Sequence, residues 1–109
     1  MPLLDRIVLF DCPGHILLKA LNNSVSKLPQ AAGRFLQVAG IRFKYSLQLP
    51  EDKRVLQSSV FLERPNNNNE PLNLNGTYRV ATKGFVKDGK DGFDMFGQCR
   101  EIYSTGLKI

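Results

Sequence analysis

The sequence predicts an α+β domain, with one amphipathic helix packed on a mixed sheet of about four to five strands. Three observations carry this. Leu17, Leu21, Val25 and Leu28 recur at helical spacing, once and early in the chain. From Arg34 onward the pattern changes to the alternation of strands. Clusters of Pro, Gly, Asn and Asp then punctuate the rest at short intervals, as turns between strands require.

The elements follow in order. Ile7-Val8-Leu9-Phe10 is a continuous apolar run of strand formers and reads as a buried strand. Pro13-Gly14 ends it, because proline cannot donate to a ladder. The helix comes next, its apolar stripe widened by Ile16 and Ala20, with Lys19, Asn22, Asn23 and Lys27 falling away from that stripe. Pro29 is expected to stop it, since the residue before a proline avoids the helical region. Arg34 to Val38 is a strand candidate. Ile41 to Tyr45 is a second, with Ile41, Phe43 and Tyr45 on one face and Arg42 and Lys44 on the other. Leu49 to Lys53 reads as a turn and Val55 to Leu62 as the next strand. Pro65 to Asn69 is a polar low-complexity loop. Asn75-Gly76 is a tight-turn signal ahead of a strand at Thr77 to Ala81. Asp88 to Gly92 is a glycine-rich loop, and Cys99 to Tyr103 forms a last short strand.

Composition sets the class. The 109 residues suit one domain, 1–109, and 42% hydrophobic content is ordinary for a folded chain. No run approaches the ~20 apolar residues of a membrane-spanning helix. Asp5, Arg6 and Asp11 interrupt the start too often for a secretory signal. Cys12 and Cys99 make neither a disulfide framework nor a zinc site; Cys12 reads as packing and Cys99 as exposed. The single histidine, His15, excludes most histidine-based metal chemistry and reads as a helix-start residue. The net charge of +5 favours anionic partners, yet the cations are scattered and fit a solvated mixed surface. Arg34, Arg42 and Lys44 lie on the opposite strand face from Phe35, Phe43 and Tyr45, an arrangement of core and solvent rather than of a nucleic-acid platform. Asn22-Asn23-Ser24 and Asn75-Gly76-Thr77 fit the glycosylation acceptor pattern, without consequence in the absence of a secretion signal.

Three stretches together carry more. The first runs from Gly14 through Leu21-Asn22-Asn23-Ser24-Val25-Ser26. The second is Gly33-Arg34-Phe35-Leu36-Gln37-Val38-Ala39-Gly40-Ile41-Arg42-Phe43. The third joins Tyr78-Arg79-Val80-Ala81-Thr82, Phe85 and Gly89-Lys90-Asp91-Gly92-Phe93. In order and spacing, from Pro2 to about Phe96, they resemble the C-terminal domain of the 5'-nucleotidase family. The resemblance implies a phosphoric monoester hydrolase of nucleotide catabolism, with two metal ions and catalysis in an N-terminal metallophosphoesterase domain. The C-terminal domain grips the nucleoside. A two-metal hydrolase needs several His and Asp ligands, which His15 alone cannot supply. No catalytic residue and no cofactor are therefore expected in this chain.

The resemblance implies substrate-binding roles for Phe85, Asp91, Gly89 and Gly92. Phe85 matches a phenylalanine that stacks on the nucleobase, a contact worth ~1–3 kcal/mol. Its plain reading is a core residue ending an apolar strand. Asp91 matches an aspartate that accepts from the ribose hydroxyls, flanked by glycines that let the backbone approach the sugar. Its plain reading is a solvated turn. Two departures stand out. Lys90 replaces the second glycine of the loop, and Leu3 stands where a second stacking phenylalanine would be. The family's upstream segment, which contributes an asparagine and an arginine, is absent from this sequence, so the domain is expected to be incomplete at its N-terminus.

Two functions follow as expectations. One is a nucleoside- or nucleotide-binding module that is not catalytic alone and serves a metallophosphoesterase domain. The other is a degenerate, non-catalytic fragment that acts through protein interaction or self-association. Neither a nucleic-acid nor a membrane partner is expected. No signal peptide or membrane span assigns a compartment, although the family it resembles is often extracytoplasmic.

Overall fold

A computed structural model describes residues 7–28, 39–89 and 92–104, with Asn67 and Phe85 as backbone only. It is α+β, and its strands fall into two three-stranded antiparallel sheets rather than one mixed sheet. The first sheet has β1 (Ile7–Pro13) at its centre, flanked by β5 (Thr77–Lys83) and β6 (Arg100–Ser104). The second joins β2 (Ile41–Arg42), β3 (Phe61–Leu62) and β4 (Glu70–Pro71) in chain order. Helix α1 (Gly14–Val25) links them, and a short α2 (Gly84–Lys87) follows β5.

The central strand alternates instead of being buried on both faces. Val8, Phe10 and Cys12 are fully buried, whereas Ile7 stays 46% exposed. Val8, Phe10 and Cys12 join Ile16, Ala20, Val86, Phe93, Phe96 and Cys99 in one core. This corrects the reading of Cys99 as exposed. It immediately precedes β6, and the pairing of Asp11 with Arg100 brings it in beside Cys12. The opposite face carries Leu9 against Ala81 on one side and Tyr103 on the other.

Helix α1 serves two cores because its stripe is wide. Ile16 and Ala20, four apart, face the first sheet. Leu21 and Val25, also four apart, meet Val55 and Val60 beside the second. Both helix ends are satisfied from elsewhere in the chain. No side chain caps the N-terminus. Instead the Gly14 N–H donates to the Gly76 carbonyl at 2.8 Å and the His15 N–H to that of Leu74 at 3.1 Å. A Cβ at Gly14 would lie 2.0 Å from the Asn73 carbonyl oxygen, so only glycine admits this approach. At the other end Arg54 donates from Nη1 to the carbonyls of Val25 at 3.0 Å, Ser26 at 2.9 Å and Leu28 at 2.8 Å. The helix thus ends at Val25 and gives way to a turn over 26–28 before Pro29, which lies outside the described residues.

Asn22 does not fall away from the stripe. It is buried, accepting from the Val55 N–H at 2.8 Å and donating to the Leu18 carbonyl at 3.3 Å. Burial also removes it from consideration as an accessible glycosylation acceptor. The long strands expected at Ile41 to Tyr45 and Val55 to Leu62 shrink to two residues each, with one further bridge between Tyr45 and Val55. Ser59 explains the break. Its hydroxyl accepts from the Lys44 N–H at 2.8 Å and donates to the Leu56 carbonyl, holding residues 57–59 in a 3₁₀ turn. The strand candidate at Arg34 to Val38 lies outside the described residues.

Candidate functional site

The segment after β5 gathers the residues singled out in the sequence. Gly84, buried, opens α2 and allows the chain to leave the strand. The Asp88 N–H returns to the Gly84 carbonyl at 2.8 Å and the Gly89 N–H to that of Val86 at 3.0 Å, closing the turn. Gly89 then takes a left-handed φ of 98°, the usual way a helix is stopped by glycine. Phe85 is consequently a helix residue and not the end of a strand.

Gly92 is the second left-handed residue, at φ 85°. Between the two glycines lie Lys90 and Asp91, both outside the described residues, as is Leu3. The structure therefore fixes the frame of the loop and its two hinges.

Both ends of that frame are anchored in the first core. Upstream, Val86 is buried, and the Lys87 ammonium lies 5.6 Å from the centre of the Phe10 ring, within cation–π range. Downstream, Phe93 is fully buried and stacks on Phe96 with centroids 5.7 Å apart and planes 8° from parallel. Phe96 in turn meets Phe10 edge to face at 5.1 Å. Residues 94–98 form a 3₁₀ turn into β6.

A larger groove, about 730 Å³, lies between α1, β5 and the 39–64 segment. Leu17, Leu21, Tyr78 and Val80 contribute its apolar wall, and Glu63, Arg64 and Arg79 its charged rim. Neither Gly89 nor Gly92 is among its described lining residues. On the second sheet Phe43 packs against the Leu21–Val25 core while Arg42 and Lys44 are exposed. Among the described residues no group of three or more His, Cys, Asp or Glu could hold a metal ion. No described helix is long and apolar enough to cross a membrane.

Lys87 is one residue that sequence reading did not single out; Arg54 is another. Arg54 carries no local signal, because its three carbonyl partners lie 26 to 29 residues away. Asn22 did carry one: it stands four residues after Leu18 and three before Val25, on the face those residues bury.

The fold is a two-sheet α+β domain in which Gly89 and Gly92, both at positive φ, flank residues 90–91 of the sequence. A family model described as 5'-nucleotidase, C-terminal domain, matches residues 1–98. The trifunctional nucleotide phosphoesterase protein YfkN of Bacillus subtilis is 36% identical over 99 residues, covering 91% of this chain and 7% of that protein. A 5'-nucleotidase of Diplobatis ommata is 33% identical over 107 residues, covering 97% of this chain and 18% of its own length. The crystal structure of a 5'-nucleotidase precursor from Thermus thermophilus superposes with a TM-score of 0.86 at 36% identity, over 95% of this chain and 20% of that one. The chain belongs to the 5'-nucleotidase C-terminal domain family. It spans a fifth or less of the length of these relatives.

Proposed function

We propose that this chain is the nucleoside- or nucleotide-binding module of a 5'-nucleotidase-type phosphoric monoester hydrolase, with catalysis and divalent metals residing in a separate metallophosphoesterase domain. The observation that carries the reading is the loop frame: Gly89 and Gly92, both left-handed, bracket Asp91 in a segment anchored at both ends, with Phe85 one turn upstream. In this reading Phe85 stacks on the base and the Asp91 carboxylate accepts from neighbouring ribose hydroxyls. Gly89 and Gly92 give the loop its path and let the sugar come close to backbone. Family membership supports the assignment, and the covered fraction of the relatives supports a division of labour between domains.

The test is an amide NMR titration of the chain with adenosine and then AMP. Shifts concentrated at residues 84–93 are the expected result. A well-dispersed spectrum that neither ligand moves would overturn the reading.

A second reading, association with another protein or with a second copy, is favoured by one observation. Ile7 and Leu9 on β1 and Tyr103 on β6 share the outer face of the first sheet, with Tyr103 61% exposed. Sedimentation of the chain over a range of concentrations tests its second-copy form, which expects a mass above the monomer.

A further inference from the structure

The two cysteines are the chain's only thiols, and the fold brings them together from opposite ends of the sequence. Asp11 pairs with Arg100 in the antiparallel ladder between β1 and β6; Cys12 is the next residue along β1, and Cys99 immediately precedes β6, just past that last paired position. At the adjoining Asp11–Arg100 pair such a ladder holds the Cα atoms about 4.5–5.5 Å apart. A disulfide needs about 4.4–6.8 Å. Both thiols are buried in the same core, 0% and 5% exposed, and Cys99 lies near enough to add to the upward push of burial on the Cys12 thiol.

We propose that Cys12 and Cys99 form a reversible disulfide that fastens the central strand to the segment descending from the glycine loop. The oxidant is a disulfide, either a small molecule or a protein, acting by exchange. One cysteine thiolate attacks a sulfur of the oxidant, forming a mixed disulfide and releasing one thiol. The second cysteine thiolate then attacks the protein-side sulfur, closing the Cys12–Cys99 bond and releasing the other thiol. The two cysteines lose two protons and two electrons, and the oxidant gains them. Burial means that exchange proceeds through opening of the 3₁₀ turn at 94–98, whose Gly97 and Gln98 are exposed. Once formed, the bond closes nearly the whole chain into one loop and fixes the downstream anchor of residues 88–92 to β1.

The experiment incubates the reduced 109-residue chain with mixed reduced and oxidised glutathione, in native buffer and in concentrated urea. Remaining thiols are alkylated, and the cross-linked and glutathionylated species are quantified by peptide mass spectrometry. Expected is a monomeric Cys12–Cys99 product whose ratio to the mixed glutathione disulfide is at least about tenfold higher in native buffer than in urea. The oxidised chain is expected to melt about 10 °C or more above the reduced one. Equal ratios in the two solvents would overturn the proposal, as would glutathionylation without cross-linking, thiols left fully alkylatable, or a lower melting temperature after oxidation. Cys99→Ser is expected to abolish the cross-linked species while leaving Cys12 to form only the mixed disulfide.

Discussion

Replacing Gly14 by alanine tests how α1 is seated. The new Cβ would lie 2.0 Å from the Asn73 carbonyl oxygen and 2.9 Å from both the Asn73 carbonyl carbon and the Leu74 Cα. All three are backbone atoms, so no side chain can swing aside. The Asn73–Gly76 turn must retreat by roughly an ångström to restore an ordinary contact, yet it is tied in place. The Gly76 N–H bonds the Asn73 carbonyl at 2.9 Å, and the Tyr78 hydroxyl accepts from the Asn73 N–H at 2.8 Å. Retreat also strips the Gly14 and His15 N–H groups of their acceptors. Overpacking costs about 1–3 kcal/mol, and two lost hydrogen bonds about 0.5–1.5 kcal/mol each. Alanine returns about 0.5–1 kcal/mol through its better helix propensity. The net loss is about 1–5.5 kcal/mol, ~3 kcal/mol at its centre, a large share of the ~5–15 kcal/mol a domain holds. At roughly 4–8 °C per kcal/mol, the melting temperature should fall by about 10 °C or more. Thermal melts followed by circular dichroism measure this. Gly97→Ala is the control, because a Cβ there meets nothing within 4 Å. Equal melting temperatures for the two variants would refute the reasoning.

Other substitutions probe the remaining seams. Arg54→Met removes the donor shared by three carbonyls at the end of α1 and should cost about 1.5–3 kcal/mol in urea unfolding, with Arg54→Lys restoring only part of it. Asn22→Ala leaves the buried Val55 N–H without its acceptor and should cost about 1–3 kcal/mol by the same measurement. The Cys12 thiol is pushed well above its ordinary value of 9.0, first by burial and then by Cys99. The unfolded chain therefore gives up that proton before the folded one does. This contribution is whole below about pH 9 and declines as pH rises beyond it, by up to ~1.4 kcal/mol per pH unit. Urea midpoints across that range should show a slope that Cys12→Ala reduces. Phe85→Ala should weaken adenosine binding by about 5- to 150-fold in the NMR titration, the equivalent of ~1–3 kcal/mol of stacking. Asp91→Asn should leave the spectrum dispersed and weaken adenosine more than a 2',3'-dideoxy analogue.

What could be read in the sequence was what local chemistry decides. Helix α1, strands β1 and β5, the end of β1 at Pro13-Gly14 and the turn at Asn75-Gly76 each follow from residues within a few positions of one another. The second sheet was harder, because alternation over Ile41 to Tyr45 and Val55 to Leu62 describes which side chains face inward but not where the ladder breaks. The Ser59 hydroxyl settles that through partners 3 and 15 residues distant. Cys99 looked exposed because its burial depends on register with a strand some 87 residues earlier. Arg54 was invisible for the same reason. The glycines of the candidate loop were legible, since a left-handed turn asks for glycine wherever it occurs.

The placement of β1 at the centre of its sheet also orders events in time. Val8 must find Thr82 on one side and Ser104 on the other, partners that arrive only when most of the chain has been synthesised. Until then the face of β1 that carries Val8 and Phe10 lacks its partners on β5 and β6. Such long-range closure makes folding slow and leaves early intermediates open to capture by other chains.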